Sequence, residues 1–253
     1  MRAFIKKECT EQYRSGKLLI LGIIFFIFGI MAPATAKLTP FIMDMYKETM
    51  EESGFIIGEI KVDALSSWKQ YFGNGWMVII TIVIMNSSLL INEYQKGTLI
   101  QVVTKGYSRK KILLSKLLVT LCTWTAAFAM YTGVCFGYTK YFWSEDVVEN
   151  LLPGILMIWL FGTMILTIQV FFGTMAKSVG QVLLGTGAPI FLTIILGYFP
   201  NIKEYLPTRL LSGVELCTGA SLIGDFSGAI IVSLLITVIC GIMSVVIFDK
   251  RNL

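Results

Sequence analysis

The sequence predicts an all-α, polytopic membrane protein with six transmembrane helices, and three observations predict it. Of its 253 residues 55% are hydrophobic and 15% charged, with a mean hydropathy of +0.75, a balance far too apolar for an ordinary soluble domain. Six stretches hold no Asp, Glu, Lys or Arg: 18–36, 70–92, 117–139, 150–176, 178–202 and 226–248. Each reaches or nears the about 20 residues that a helix needs to cross roughly 30 Å of hydrocarbon. Finally, runs such as IIVSLLITVICGIMSVVIF at 230–248 are continuously apolar, where a membrane barrel would alternate in segments of about ten residues.

Six spans put both termini on one side of the bilayer, and the charges say which. With the N-terminus inside, 14 of the 21 cations but only 4 of the 16 acids face the cytoplasm, leaving the inner face +10 and the outer face −5. The positive-inside tendency therefore predicts a multi-pass membrane protein with both ends cytoplasmic. The net charge of +5 is a sidedness signature and implies no nucleic-acid partner.

Residues 1–17, MRAFIKKECTEQYRSGK, place Phe4, Ile5, Cys9 and Tyr13 near one helical face and leave Lys6, Lys7 and Arg14 for anionic headgroups. This suits a helix lying in the inner interface, with a solvated basic tail as the alternative. The apolar run of span one followed by Ala34-Thr35-Ala36 imitates a secretory signal, but the long leading region with Glu8 and Glu11 argues for a span at 18–36.

The external segment 37–74 begins with apolar residues at helical spacing, Phe41, Ile42, Met45, Tyr46 and Met50, which predict a separate amphipathic helix stopped at Gly54. FIIGEIKV (55–62) reads as a short strand or a loop. Trp68, Tyr71, Phe72 and Trp76 read as an aromatic belt at the outer interface ahead of span two, 75–91. Span three is 112–138, with Gly133 and Gly137 spaced for close helix packing.

An acidic turn (Glu145, Asp146, Glu149) precedes span four, 151–172, and a short link bearing only Lys177 leads to span five, 181–199. There Gly185, Gly187 and Pro189 predict a kink or local unwinding. Residues 200–228 are too apolar for a free loop and too broken for a span, which fits short re-entrant or interfacial helices before span six, 229–248. The five cysteines show no metal-type spacing and read as small buried hydrophobes without a disulfide.

The inventory excludes much chemistry. The chain has no His, no CxxC and no Gly-x-x-x-x-Gly-Lys-Ser/Thr phosphate loop, so zinc sites, His-based catalysis and nucleotide binding by that loop are absent. None of the six charge-free stretches offers a carboxylate or cation at mid-membrane for ion coupling. Neither an enzyme nor an ion-driven carrier is indicated, and any energy must come from outside the chain.

The place where it would enter is the basic island 92–111 and its continuation to Lys116, which carries Lys96, Lys105, Arg109, Lys110, Lys111 and Lys116 against Glu93. Gly97 and Thr98 open a short helical piece, Gly106 closes it, and Ser108 is placed to cap the helix that becomes span three. The pattern Glu93-Tyr94-Gln95-Lys96-Gly97-Thr98, followed by Ser108-Arg109-Lys110-Lys111 and Lys116, resembles the membrane subunits of ABC-2 type ABC transporters. The resemblance extends over the whole chain in its layout of interfacial helix, six spans, broken segment before span six and short basic tail.

That resemblance implies a single permease domain, 1–253, that pairs with a second permease chain, taken as an identical one. It also implies a coupling helix at about Thr98 to Thr104 that docks on a separate ATP-binding subunit, which holds the ATP and Mg; no cofactor is implied for this chain. The residues carried over to coupling are Glu93, Gly97, Thr98, Leu99, Val102, Val103, Gly106 and Arg109, with Lys177 as a second inner contact. The long 37–74 segment resembles the peptide and drug exporting branch, which implies export of amphipathic peptides of the phenol-soluble modulin type, lantibiotics or lipophilic compounds. The alternative is a non-transporting immunity or sensor protein that binds a peptide at its outer face.

Overall fold

The computed structural model describes residues 2–52, 62–104, 106–146 and 148–251. Among them the chain is all helical, with no strand, and six helical stretches are long and apolar enough to cross a membrane: Lys17–Tyr46, Ala64–Gln95, Arg109–Phe142, Leu151–Met175, Val179–Leu196 and Ile223–Lys250. The expected stop at Gly54, most of the 55–62 segment and Lys105 lie outside the described residues.

Helix α1 (Arg2–Arg14) leads through a turn at Gly16, whose φ is +71°, into α2 (Lys17–Glu52). α2 runs without a break through Pro33 and Pro40, so the amphipathic stretch expected as a separate helix continues span one. Proline removes one backbone bond but is tolerated inside long membrane helices when other groups take up the freed carbonyls. Hydroxyls of Thr35 and Thr39 donate to the carbonyls of Met31 and Thr35 in this stretch.

Span two is segmented into α3 (Ala64–Gly73), α4 (Gly75–Asn86) and α5 (Ile91–Gln95), interrupted at Asn74 and at 87–90. Trp68, Tyr71 and Phe72 are core residues, which corrects the expected aromatic belt. α3 lies against α2 and α7 (Arg109–Phe142), the Tyr71 ring stacks on Tyr131 at 4.5 Å, and the Tyr131 hydroxyl donates to the Tyr71 carbonyl at 2.9 Å. Buried tyrosines need such partners for their polar ends.

The axis of the bundle is α8 (Leu151–Met175), the most enclosed span, packed against α7, α9 (Val179–Leu196) and α12 (Ser227–Lys250). Gly162 and Gly185 permit the approaches to α7 and α9, and Gly154 one to α3: a Cβ would fall 2.2 Å from Trp124, 2.5 Å from Phe172 and 2.8 Å from Phe72 respectively. At Gly133 and Gly137 a Cβ would meet nothing within 4 Å, so the GxxxG pair mediates no packing among the described residues. α9 continues through Pro189 without unwinding.

Between α9 and α12 lie α10 (Pro200–Lys203), a 3-10 turn at Pro207–Ser212, α11 (Val214–Cys217) and a second 3-10 turn at Ile223–Phe226. Leu210, Leu216 and Phe226 tuck into the core from this side. The outward faces of α2, α9 and α12 are strongly apolar, with Phe41, Leu184, Phe191, Leu235 and Ile239 exposed, as lipid-facing helices require.

Candidate functional site

At the end of the bundle that carries both termini, α5 passes into α6 (Thr98–Thr104) through Gly97 and leaves through Gly106, at φ +65° and +85°. Left-handed backbone is readily adopted only by glycine, so the two glycines fix where this helix starts and stops. Ser108 occupies the cap position of α7, although its hydroxyl makes no cap hydrogen bond.

α6 is fastened to the bundle by its apolar side. Leu99 is 2% exposed and packs in a cluster with Phe4 of α1, Leu90, Ile112 and Leu113 of α7, Val170 of α8 and Phe248 of α12. Val102 and Val103 sit half-buried against the same cluster, and Thr98 donates to the Glu93 carbonyl at 3.4 Å. A displacement of α6 is therefore felt through this cluster by four other helices, because close-packed interiors transmit strain.

Beside this cluster lies a buried charge network. The Lys116 ammonium, on the inward face of α7, is 2.8 Å from Glu8 Oε2 and 2.9 Å from Glu93 Oε1. All three residues are almost fully enclosed. Lys7 joins at the rim, 3.4 Å from Glu93 and 3.6 Å from both Glu8 and Glu11. Partial burial works against the charged form of Lys7, but the carboxylates of Glu93, Glu8 and Glu11 outweigh it and hold its pKa above the ordinary value.

Among the described residues Glu8 Oε1 and Glu93 Oε2 are buried and accept no hydrogen bond, and the carboxylates of Glu8, Glu11 and Glu93 exceed the ammoniums of Lys7 and Lys116 by one. Oxygens of Glu8, Glu11 and Glu93 lie within 4.8 Å of one another, a spacing that a cation can bridge. The ammoniums of Lys7 and Lys116 already stand among them, so the set is an ion-pair network that ties α1 and α5 to α7.

A second polar tie holds the far side of the same end. Arg109 donates to the carbonyls of Asp249, at 3.3 Å, and Arg251, and Lys110 pairs with Asp249 at 3.5 Å. The Arg251 guanidinium donates to the carbonyls of Thr174 and Ala176 at the end of α8 and lies 4.0 Å over the Tyr94 ring. Cations are favoured at a helix C-terminus, where the last carbonyls lack intrahelical partners.

Of the residues singled out from sequence, Glu93, Gly97, Thr98, Leu99, Val102, Val103, Gly106 and Arg109 thus meet at one end of the bundle. Lys177 is exposed after α8, and among the described residues no ion pair joins its side chain to the network. Sequence reasoning quoted Tyr94 and Lys116 in the pattern but gave no site role to them, nor to Glu8 and Arg251. The legible signal was Lys116 itself, a cation three and four residues after Leu113 and Ile112 on the buried stripe of α7. On α1 the buried residues are Phe4 and Glu8, whereas Tyr13 is exposed, so the predicted apolar face is turned.

The chain is 24% identical over 224 residues to an uncharacterized transmembrane protein, YxlG, of Bacillus subtilis (strain 168), across 85% of this chain and 83% of that relative. No solved structure matches it. The family described as ABC-2 family transporter protein matches residues 2–207, nearly the whole multi-pass bundle including α6 and the buried network. The chain therefore belongs to the ABC-2 family of transporter proteins.

Proposed function

We propose that this chain is the membrane-spanning half of an ATP-driven exporter. Two copies pair in a bacterial plasma membrane, both termini face the cytoplasm, and a separate ATP-binding subunit carrying ATP and Mg docks on α6. The cargo is an amphipathic peptide or a lipophilic compound. Family membership supports a membrane subunit of an ABC transporter with an ATP-binding partner.

The observation that carries the reading is the double anchorage of α6: Leu99 in a cluster drawn from α1, α7, α8 and α12, and Glu93 salt-bridged to Lys116. Force applied to α6 reaches the spans through these two attachments, and Gly97 and Gly106 let the short helix move as a unit. The apolar walls of the spans and their outward faces suit cargo that partitions into the bilayer.

The test is reconstitution of the chain in liposomes with the ATP-binding protein produced beside it. ATP-dependent efflux of an amphipathic peptide is expected, together with Glu93→Gln retaining hydrolysis while losing efflux. Transport by the chain alone, without any ATPase, refutes the proposal.

A further inference from the structure

At the end of the bundle opposite α6, a cleft of about 700 Å³ opens between α3, α4, the end of α9 and the 3-10 turn at 207–212. Its volume falls within the about 300–1,000 Å³ of small-molecule sites. Trp76, Tyr198 and Leu211 form much of its apolar wall, and among the described residues no carboxylate lines it.

Its uncommitted polar groups are the Lys69 ammonium and the Thr208 and Ser212 hydroxyls, none of which has a hydrogen bond or ion pair among the described residues. Asp63, which senses the Lys69 charge, is committed to capping α3 through Ser66, at 2.8 Å. The adjoining cleft across α11 is opposite in character, lined by Asp63, Asp146 and Glu149. Lys69, the one cation lining the cleft among the described residues, is thus set with two free hydroxyls in an apolar recess. This is donor chemistry for a phosphate, which lysine binds as a point charge.

The recess is continuous with lipid-facing surface, since Met77 and Ile80 of α4 and Phe191 and Ile195 of α9 are exposed beside it. We propose that this cleft binds one anionic phospholipid, its phosphate at Lys69, Thr208 and Ser212 and an acyl chain along Trp76 and Leu211. In the orientation proposed above it is an outer-leaflet lipid. The inference requires only a membrane protein and stands apart from the direction of transport.

The experiment is native mass spectrometry of the full chain released from nanodiscs made with equal phosphatidylglycerol and phosphatidylcholine. Wild type is expected to retain one phosphatidylglycerol per chain. Lys69→Gln, at an exposed position, is expected to weaken retention about ten-fold, the worth of one charge-assisted contact of about 1.4 kcal/mol. Gly73→Leu, where an added Cβ meets no atom within 4 Å, fills the cleft and abolishes retention. Lys140→Gln, at a cation outside the cleft, leaves it unchanged.

Equal retention of the two lipids overturns the proposal, as does wild-type retention in Lys69→Gln. If Gly73→Leu alters the proportion of paired chains while lipid retention stays the same, the cleft is an interface between copies. If an anionic amphipathic peptide binds in a Lys69-dependent way and the lipid does not, the occupant is a peptide.

Discussion

Lys116 Nζ lies 2.8 Å from Glu8 Oε2, joining two residues 108 positions apart, and the same ammonium lies 2.9 Å from Glu93 Oε1. One side chain therefore fastens the N-terminal helix and the segment before α6 to span three.

Removing that ammonium leaves two buried carboxylates with only the rim ammonium of Lys7 between them. Lys116→Met is expected to lower stability by about 3–5 kcal/mol, because breaking a buried ion pair strands its partner without water. Replacing Glu8, Glu93 and Lys116 together by Leu, Leu and Met is expected to recover most of that loss. Thermal unfolding in detergent, followed by fluorescence, checks both variants.

Leu99→Ala opens a cavity in the cluster that α6 shares with α1, α7, α8 and α12. A loss of about 2–5 kcal/mol is expected from the buried methylenes and the void they leave. Hydrogen exchange should show α6 opening before the spans, and exchange unchanged from wild type would contradict the anchorage.

At Gly106, φ is +85° and an added Cβ meets open space, so Gly106→Ala tests backbone strain alone. The substitution is expected to cost about 1–2 kcal/mol, with Gly106→Asn costing less because Asn tolerates left-handed backbone. Equal unfolding temperatures for wild type and both variants would show that α6 ends elsewhere.

Two glycine substitutions should behave in opposite ways. Gly162→Ala drives a methyl into the fully buried Trp124, whose indole donates to the Trp159 carbonyl at 3.1 Å, and is expected to cost about 1–3 kcal/mol from overpacking. Gly133→Ala meets nothing within 4 Å and is expected to be neutral or slightly stabilising in the single chain.

Asp63 caps α3 by accepting from the Ser66 backbone N–H and hydroxyl, both at 2.8 Å. Slight burial raises its pKa, but these hydrogen bonds outweigh it and hold the carboxyl below the ordinary 3.8. A depressed folded-state value means the cap stabilises fully above pH 3.8 and is lost as pH falls through the lowered value. Asp63→Ala is expected to cost about 1 kcal/mol at neutral pH and to remove that acid-range dependence in pH-resolved thermal melts.

The six spans were legible because hydropathy over about 20 residues is a local property. So was the extent of α6, since glycine is the residue that readily takes the left-handed φ found at Gly97 and Gly106. The reading of Trp68, Tyr71 and Phe72 as an interfacial belt failed for a physical reason: aromatic residues look alike in a sequence whether they meet headgroups or a core. Their burial depends on α3 lying against α2 and α7. Pro33 and Pro40 likewise mark a boundary locally, yet the helix continues past both.

By itself, then, the sequence determined an all-helical bundle of six spans and the short helix between Gly97 and Gly106, because apolar length and glycine placement act over neighbouring residues. Only the tertiary structure decided which charges matter. It turned Lys116 inward, brought Glu8 and Glu93 to it, and laid Arg251 across Tyr94 and the end of α8. A buried charge needs a partner, and the partner's distance along the chain leaves no mark in the sequence.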